Sequence, residues 1–197
     1  MENPVVVLEG PRLAGKTYLF DNLKNKFQNS LKDETFIYRE YFSFIASPDR
    51  LESYLVGKDV SLTQRINALE GSVLVDRYLF NTAVYSSIFR SFPDTFGEEY
   101  LKEFDTFLRV WYKDLRERLH FFVIIPDIEE ALKQGIKGRE GKDGLKDDEE
   151  LLFRQCNLFI QRSMQLTMMG YNIKVIPSYH TNPNILEDIE NDVWLGN

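Results

Sequence analysis

The stretch Gly10-Pro11-Arg12-Leu13-Ala14-Gly15-Lys16-Thr17 fits the pattern G-x-x-x-x-G-K-[ST]. It follows the apolar run Val5-Val6-Val7-Leu8, which predicts a buried strand, and it precedes a segment with helical periodicity. A loop of this kind presents backbone N–H groups to phosphate oxygens at the N-terminus of a helix, where an anion is also favoured by the helix dipole. The stretch therefore predicts a site for a nucleotide polyphosphate, with Lys16 on the β and γ phosphates and Thr17 helping to hold Mg²⁺.

Length, composition and charge limit what this loop belongs to. The chain has 197 residues, 43% of them hydrophobic, which predicts a single domain over residues 1–197. A net charge of −7 argues against a nucleic-acid polymer as partner. The lone cysteine, Cys156, excludes an internal disulfide, and neither a leader segment nor a membrane-spanning segment is evident. We expect a cytoplasmic protein without a membrane partner.

The rest of the chain alternates short apolar runs with helical patterns. Strands are predicted at 4–9, 35–38, 72–75, 121–125 and 172–176. Helices are predicted at 16–27, from 47 to about 71 with a break near Gly57-Lys58, and at 79–89, 98–119, 127–134, 151–169 and 184–192. This alternation predicts an α/β fold, with a parallel sheet covered by helices on both faces.

Charged residues follow two of the predicted strands. Arg39 and Glu40 end the second strand, and Asp76-Arg77-Tyr78 ends the third. Parallel sheets bind their ligands at the carboxyl ends of strands, so Asp76 is a candidate to hold Mg²⁺ and Arg77 to bind an anionic acceptor. An ATP-hydrolysing motor usually has an acidic residue where Arg77 stands, and no Asn-Lys-x-Asp motif of a GTPase is present. The pattern favours a kinase that acts on a second small molecule.

A basic glycine-containing segment lies at about 135–148. Glycine occurs at every third position from Gly135 to Gly144, interleaved with Lys137, Arg139 and Lys142. By itself this is equally typical of a solvated loop. In a protein with a phosphate-binding loop it predicts a LID that closes over the polyphosphate and brings Arg139 to the transferring phosphoryl group.

These residues resemble the thymidylate kinases, within the nucleoside and nucleotide monophosphate kinases. The resemblance is carried by Leu8-Glu9-Gly10 leading into Gly15-Lys16-Thr17, by Arg39-Glu40, and by Asp76-Arg77-Tyr78. It implies a P-loop NTPase fold with a five-stranded parallel sheet in the order 2-3-1-4-5. It also implies ATP with Mg²⁺ as the phosphoryl donor, a deoxynucleoside monophosphate, foremost dTMP, as the acceptor, and a homodimer.

The resemblance also implies roles for single residues. Residues 10–17 bind ATP, and Arg39, Arg77 and Tyr78 bind the acceptor. Asn81 and Tyr85 lie near its base and sugar. The chain differs from the family at Arg12, which stands where thymidylate kinases usually have an acidic residue. Arg12 is therefore a second candidate, with Arg139, to neutralise charge on the transferring phosphoryl group. The family's Phe-x-x-x-Arg acceptor motif is absent at the expected distance from Asp76, and the nearby cations are Lys58 and Arg65.

Two other functions stay open at this point. A deoxynucleoside kinase has the same architecture and phosphorylates a 5′-hydroxyl, which needs a general base, and Glu40 is placed to act as one. A nucleotide-binding regulatory protein that has lost catalysis would account for Arg12 and the missing motif. The retention of Lys16, Thr17, Asp76 and a basic LID favours an enzyme.

Overall fold

The structure, a computed structural model, describes residues 3–32, 48–89, 94–138, 149–179 and 181–195. Within these ranges five parallel strands form one sheet in the order β2-β3-β1-β4-β5. The strands are β1 (Val5–Glu9), β2 (Asn29–Lys32), β3 (Val73–Asp76), β4 (Leu119–Ile125) and β5 (Asn172–Pro177). The helices are α1 (Lys16–Leu23), α2 (Pro48–Asn67), α3 (Leu79–Phe89), α4 (Asp94–Trp111), α5 (Lys113–Arg118), α6 (Ile128–Gly138), α7 (Glu149–Met168) and α8 (Ile185–Leu195). The predicted fold class and strand order are confirmed.

Helices cover both faces of the sheet, which explains why its central strands are apolar throughout. Val6 and Leu8 of β1 face α1 and α8, where Leu19 and Ile189 are among the buried residues. The other face packs against α2, α3, α4 and α7. Because side chains alternate along a strand, a strand buried on both faces reads as a continuous apolar run. Such runs made β1, β3 and β4 recognisable in the sequence.

The register of the central strands brings two of the predicted motifs together. Leu8 of β1 pairs with Asp76 of β3, so both strands end at the same edge of the sheet. The N–H of Arg77 donates to the carbonyl of Leu8 at 3.0 Å, which extends this pairing one residue past β3. The loop after β1 and the turn after β3 are therefore neighbours.

The second strand differs from the prediction. β2 occupies Asn29–Lys32, and it was not predicted because its four residues are polar apart from Leu31 and lie at the edge of the sheet. The strand predicted at 35–38 lies outside the described residues. The first helix ends at Leu23 and is followed by a short 3₁₀ turn at Lys24–Lys26, earlier than predicted.

Two helix predictions were wrong. No break occurs near Gly57, and α2 continues from Pro48 to Asn67, since a helix tolerates a single glycine at an exposed position. The helix predicted over 98–119 is two helices, α4 and α5, separated at Tyr112, whose φ of −140° is not helical. Apolar residues continue at helical spacing across Tyr112, so the pattern could not reveal the break.

No helix among the described residues is long and apolar enough to cross a membrane.

Candidate functional site

The loop between β1 and α1 depends on backbone conformations that glycine adopts easily. Gly10 has a φ of +142°, and a Cβ built on it would lie 2.2 Å from the carbonyl oxygen of Ile124. Gly15 has a φ of +78° and caps the N-terminus of α1. Leu13, also in the left-handed region at 63°, packs its side chain against a small cluster from α6 and α7 that includes the buried Cys156. The loop is thus held between β4 on one side and α6 and α7 on the other.

Lys16 is buried and folds over this loop. Its Nζ donates to the carbonyl of Gly10 at 2.8 Å and to that of Pro11 at 2.6 Å. The ammonium group therefore lies within the loop, where a polyphosphate is predicted to bind. Thr17 follows on the first turn of α1 and is exposed.

The backbone of Arg12 is tied to helix α7 by a residue that the sequence did not single out. Its N–H donates to Oε1 of Gln155 at 3.0 Å, and the hydroxyl of Tyr85 donates to the same oxygen at 3.4 Å. Gln155 is buried and thus joins the phosphate loop to α3. No local sequence signal distinguishes this glutamine from the other polar residues of α7.

The turn after β3 has an unusual backbone. Arg77 has a φ of +73°, which is uncommon for a residue with a side chain. Asp76 is buried, its Oδ1 accepts no hydrogen bond from the described residues, and the Nε of Arg77 lies 3.9 Å from that oxygen. An available buried carboxylate oxygen at this edge, together with the exposed hydroxyl of Thr17, fits the oxygen ligands that Mg²⁺ prefers.

Glu9, the last residue of β1, connects the loop to this turn. It is fully buried, and its Oε1 accepts the N–H of Tyr78 at 2.6 Å and that of Phe80 at 3.3 Å. Burial raises the pKa of Glu9 to about 8, against the opposing influence of the Tyr78 N–H and of Lys16, Arg77 and Lys58. The feature of the sequence that could have indicated this role of Glu9 was a carboxylate at the end of an otherwise apolar strand.

Three further residues predicted to bind the acceptor, Tyr78, Asn81 and Tyr85, lie in or just before α3. Tyr78 is a correction, because its side chain is fully buried in the core, with its hydroxyl hydrogen-bonded to Thr63 and its ring edge-on to Phe104. Only its backbone belongs to the site. Asn81 and Tyr85 are also buried, one and two turns further along the helix.

The environment of Tyr85 shows that cations lie around it. Burial raises the pKa of Tyr85, while the charges of Arg77 and Arg12 act in the opposite direction. Both arginines are therefore close enough to Tyr85 to act on its hydroxyl. The predicted donor loop, the Arg77 turn and α3 meet at this position.

A buried polar cluster on α2 contributes a further cation. Asp59 is fully buried, and its Oδ2 accepts the hydroxyls of Thr82, at 2.6 Å, and of Tyr100. Lys58 pairs with Asp59 Oδ1 at 3.1 Å, and its charge also acts on Glu9. Arg65, the other cation considered from the sequence, is exposed. Of the two, Lys58 is the one whose charge reaches the site.

Three of the predicted site residues, Arg39, Glu40 and Arg139, lie outside the described residues, as does the segment 139–148 of the predicted LID. Helix α6 continues to Gly138, so the first four residues of that predicted LID are helical. The roles predicted for Arg39, Glu40, Arg139 and the LID stay predictions.

No protein-family model matches the chain, and no curated protein matches its sequence. Solved structures are similar over nearly its whole length. The thymidylate kinase from Candida albicans has a TM-score of 0.60 at 15% identity, over 96% of this chain and 92% of its own. The deoxyadenosine kinase from M. mycoides, solved with dCMP and dCDP, has a TM-score of 0.60 at 17% identity, over 96% and 98%. The chain has the fold of the P-loop kinases.

A third structure with the P-loop kinase fold is the YorR protein from Bacillus subtilis, solved in complex with phosphorylated GDP. It has a TM-score of 0.61 at 14% identity and covers 98% of this chain and 96% of its own. At these identities the likeness concerns the fold. What the P-loop kinase fold does in this chain depends on the site residues themselves.

Proposed function

We propose that the protein is a nucleotide kinase that transfers the γ-phosphoryl group of ATP to a deoxynucleoside monophosphate, with dTMP as the foremost acceptor. The observation that carries the proposal is the pairing of Leu8 with Asp76, because it joins the phosphate loop to a turn that bears Arg77. One edge of the sheet thus has a donor site and, beside it, a cation for an anionic acceptor.

In the proposed reaction residues 10–17 bind the ATP phosphates, with the Lys16 ammonium on the β and γ phosphates. An oxygen of the acceptor's phosphate attacks the γ phosphorus in line. The bond from that phosphorus to the β–γ bridging oxygen breaks, and ADP leaves with the bridging oxygen. Arg77 and, by resemblance, Arg39 orient the acceptor, while Arg12 and Arg139 neutralise the charge that develops on the transferring group.

Thr17 and Asp76 are the residues that would hold Mg²⁺. When bound, the ion would screen the charge of the β and γ phosphates and orient them. The buried oxygen of Asp76 that accepts no hydrogen bond from the described residues supports this assignment.

The cations around the turn support a monophosphate as the acceptor. The charges of Arg77 and of Lys58, which pairs with Asp59, both act on the carboxyl of Glu9, in addition to that of Lys16 in the donor loop. An ionised phosphate needs such charges, whereas a neutral 5′-hydroxyl needs a base to take its proton. The sequence candidate for that base, Glu40, lies outside the described residues.

The test is an ADP-release assay with Mg-ATP, in which the four common deoxynucleoside monophosphates and their parent nucleosides are compared side by side. Turnover with monophosphates alone is the expected result, and it would also identify the base. Turnover with nucleosides alone would replace the proposal with a nucleoside kinase that uses Glu40. If none of the eight compounds is turned over, a nucleotide-binding regulatory protein becomes the better hypothesis.

Lys16→Met tests the donor half of the proposal. Removing the ammonium from the loop should lower kcat by about 10²- to 10³-fold or more, as removal of a single preorganised transition-state contact commonly does. The fold should persist, which circular dichroism can check. Lys24→Met is the matched control, because the Lys24 side chain is about two-fifths exposed and, among the described residues, its ion pair is with Asp21. Near-normal turnover of Lys16→Met would refute the assignment of the loop.

A further inference from the structure

Glu9 lies at the junction between the two halves of the proposed site. It directly precedes Gly10 of the phosphate loop, and its side chain crosses to the turn after β3. There Oε1 accepts two backbone N–H groups, those of Tyr78 and Phe80, which flank the start of α3. A single carboxyl oxygen thus links the donor loop to the residues that immediately follow Arg77.

The turn needs this support because of its backbone. The left-handed conformation of Arg77 is strained for a residue with a side chain, and such a conformation persists only where the surroundings impose it. Two contacts impose it here. The N–H of Arg77 itself donates to the carbonyl of Leu8, and the next N–H, that of Tyr78, donates to Glu9.

We propose that Glu9 is a positioning residue that holds the Arg77 turn against the donor loop, and so sets the Arg77 guanidinium to receive the acceptor's phosphate. This inference rests on the proposed function. Glu9 acts through Arg77, since its own carboxyl is buried and its Oε1 is occupied by backbone N–H groups. Its second oxygen, Oε2, has no hydrogen-bond partner among the described residues, so Oε1 carries the link.

Three substitutions separate this role from others. Glu9→Met keeps the side-chain length but removes the acceptor oxygen. Glu9→Asp keeps the carboxyl but withdraws it by one methylene. Glu9→Gln keeps a carbonyl oxygen that can accept both N–H groups, and it matches the neutral form of a carboxyl whose pKa burial has raised to about 8.

A matched control exists at the opposite end of β3. The Oε1 of Gln28 accepts the N–H of Ser72 at 2.9 Å, so here too a side-chain oxygen holds a turn in place. This turn precedes β3, at the amino ends of the strands, and therefore lies away from the phosphate loop. Gln28→Leu removes that contact without touching the proposed site.

The experiment measures KM for the acceptor and KM for ATP separately, together with hydrogen exchange at the amides of Tyr78 and Phe80. Glu9→Met and Glu9→Asp should raise the acceptor KM by about 10- to 100-fold, because a displaced cation no longer meets the phosphate. The ATP KM should stay within about twofold. Glu9→Gln should stay within about twofold of the wild type for both substrates, and Gln28→Leu should leave both constants unchanged.

Several results would overturn the inference. Glu9→Asp or Glu9→Met with an unchanged acceptor KM would refute it, as would an equal rise in both KM values or a Glu9→Gln variant as impaired as Glu9→Met. If Glu9→Met does not fold, Glu9→Asp and Glu9→Gln decide the question alone. A wild type that turns over no acceptor refutes the proposed function instead. In that case hydrogen exchange still tests whether Glu9 holds the turn. If the amides of Tyr78 and Phe80 exchange as slowly in Glu9→Asp as in the wild type, the inference is refuted.

Discussion

At the scale of single residues, burial gives Glu9 a protonation state that its type does not normally have. Burial raises the pKa of Glu9 to about 8, well above its usual value of 4.5, although three cations oppose the shift. A carboxyl with this pKa is mostly protonated, and so mostly neutral, at pH 7. It keeps its carbonyl oxygen as a hydrogen-bond acceptor while adding no negative charge next to the proposed phosphate sites.

The raised pKa of Glu9 predicts a particular dependence of stability on pH. Between about pH 4.5 and 8 the folded protein retains a proton that the unfolded chain loses, so the free energy of unfolding should fall as pH rises through this window and level off above it. Glu9→Gln removes this titration. Relative to the wild type it should gain a few kcal/mol in unfolding free energy from pH 5 to pH 8, measured by urea unfolding. Parallel pH curves for the two proteins would contradict the buried neutral carboxyl.

Arg12 is the residue by which this loop departs most from the thymidylate kinases. We predict that Arg12→Ala lowers kcat by about 10³-fold, the effect of an arginine that neutralises charge during phosphoryl transfer. The Arg12 N–H that donates to Gln155 remains in the variant, so the loop should keep its shape. The measurement is kcat at saturating ATP and acceptor.

Arg139→Ala, measured alongside, separates the roles of the two arginines. Arg12→Lys is the control for charge alone, and we expect it to recover only part of the rate, because an ammonium lacks the planar fork of donors. Small effects of both alanine substitutions would exclude this part of the mechanism.

At the scale of elements, the approach of α4 to α3 depends on a glycine. A Cβ built on Gly97 would lie 2.0 Å from the carbonyl oxygen of Ala83, a backbone atom that cannot turn aside. Helices that pack this closely require the smallest residue at the contact. Because α3 carries Asn81 and Tyr85, the position of α4 against it also supports the proposed acceptor site.

Two glycine-to-alanine substitutions should therefore have opposite effects. Gly97→Ala should lower the free energy of unfolding by about 1–3 kcal/mol, the usual effect of overpacking. Gly57→Ala should raise it by about 0.5–1 kcal/mol, because Gly57 lies in the interior of α2, no atom of the described residues lies within 4 Å of its Cβ position, and alanine is the better helix former. Chemical denaturation of the two variants under the same conditions measures both. Equal changes of the same sign would contradict the packing described for α3 and α4.

At the scale of the whole molecule, one ionic cluster joins α4, α5 and the end of α7. Asp105 accepts Nε of Arg109 and Nε of Arg116, each at 2.7 Å, and both arginines also donate to the carbonyl of Met169. The Arg116 guanidinium lies over the ring of Tyr171, 4.4 Å from its centre. The break at Tyr112 is what allows α5 to bring Arg116 back to α4.

Loss of this ionic cluster should weaken the packing of α5 and the end of α7 against α4. Asp105→Asn should lower the free energy of unfolding by about 2 kcal/mol at pH 7, because only one of the two terminal atoms of an amide, its oxygen, can accept a hydrogen bond, so one arginine loses its acceptor. Although burial acts to raise it, hydrogen bonds from Arg116 and Arg109 hold the pKa of Asp105 below its usual value. The stability that ionised Asp105 contributes is therefore fully present at pH values above the usual pKa of an aspartate, and it is lost as the pH falls through the lowered pKa of the folded protein.

The control for Asp105→Asn is Glu98→Gln, which breaks an exposed pair with Lys102 on the same helix. It should leave the free energy of unfolding unchanged within error, since solvent screens exposed pairs. Urea unfolding at pH 7 and at pH 3 measures both variants. An Asp105→Asn effect that persists undiminished at pH 3 would mean that packing rather than charge is responsible.

The sequence determined the fold class because the central strands must be apolar on both faces. The runs Val5–Leu8, Val73–Val75 and Phe121–Ile125 show this pattern, and the phosphate loop stands at a recognisable place after the first of them. β2 was missed because an edge strand needs no such run. The division of α4 from α5 was missed because the apolar spacing continues across it.

The candidate site divides in the same way. The positions of Lys16, where the loop after β1 enters α1, and of Asp76 and Arg77, at the end of β3, could be predicted because local patterns place them beyond the carboxyl ends of strands, where ligands bind to parallel sheets. The tertiary structure alone decided that Glu9 reaches the backbone of Tyr78, that Gln155 holds the loop, and that the Tyr78 side chain lies in the core. The physical reason is the distance along the chain between the residues that interact. Strand and loop patterns depend on neighbours in the chain, whereas a side chain that bonds to a backbone 69 or 143 residues away depends on how the sheet and helices pack.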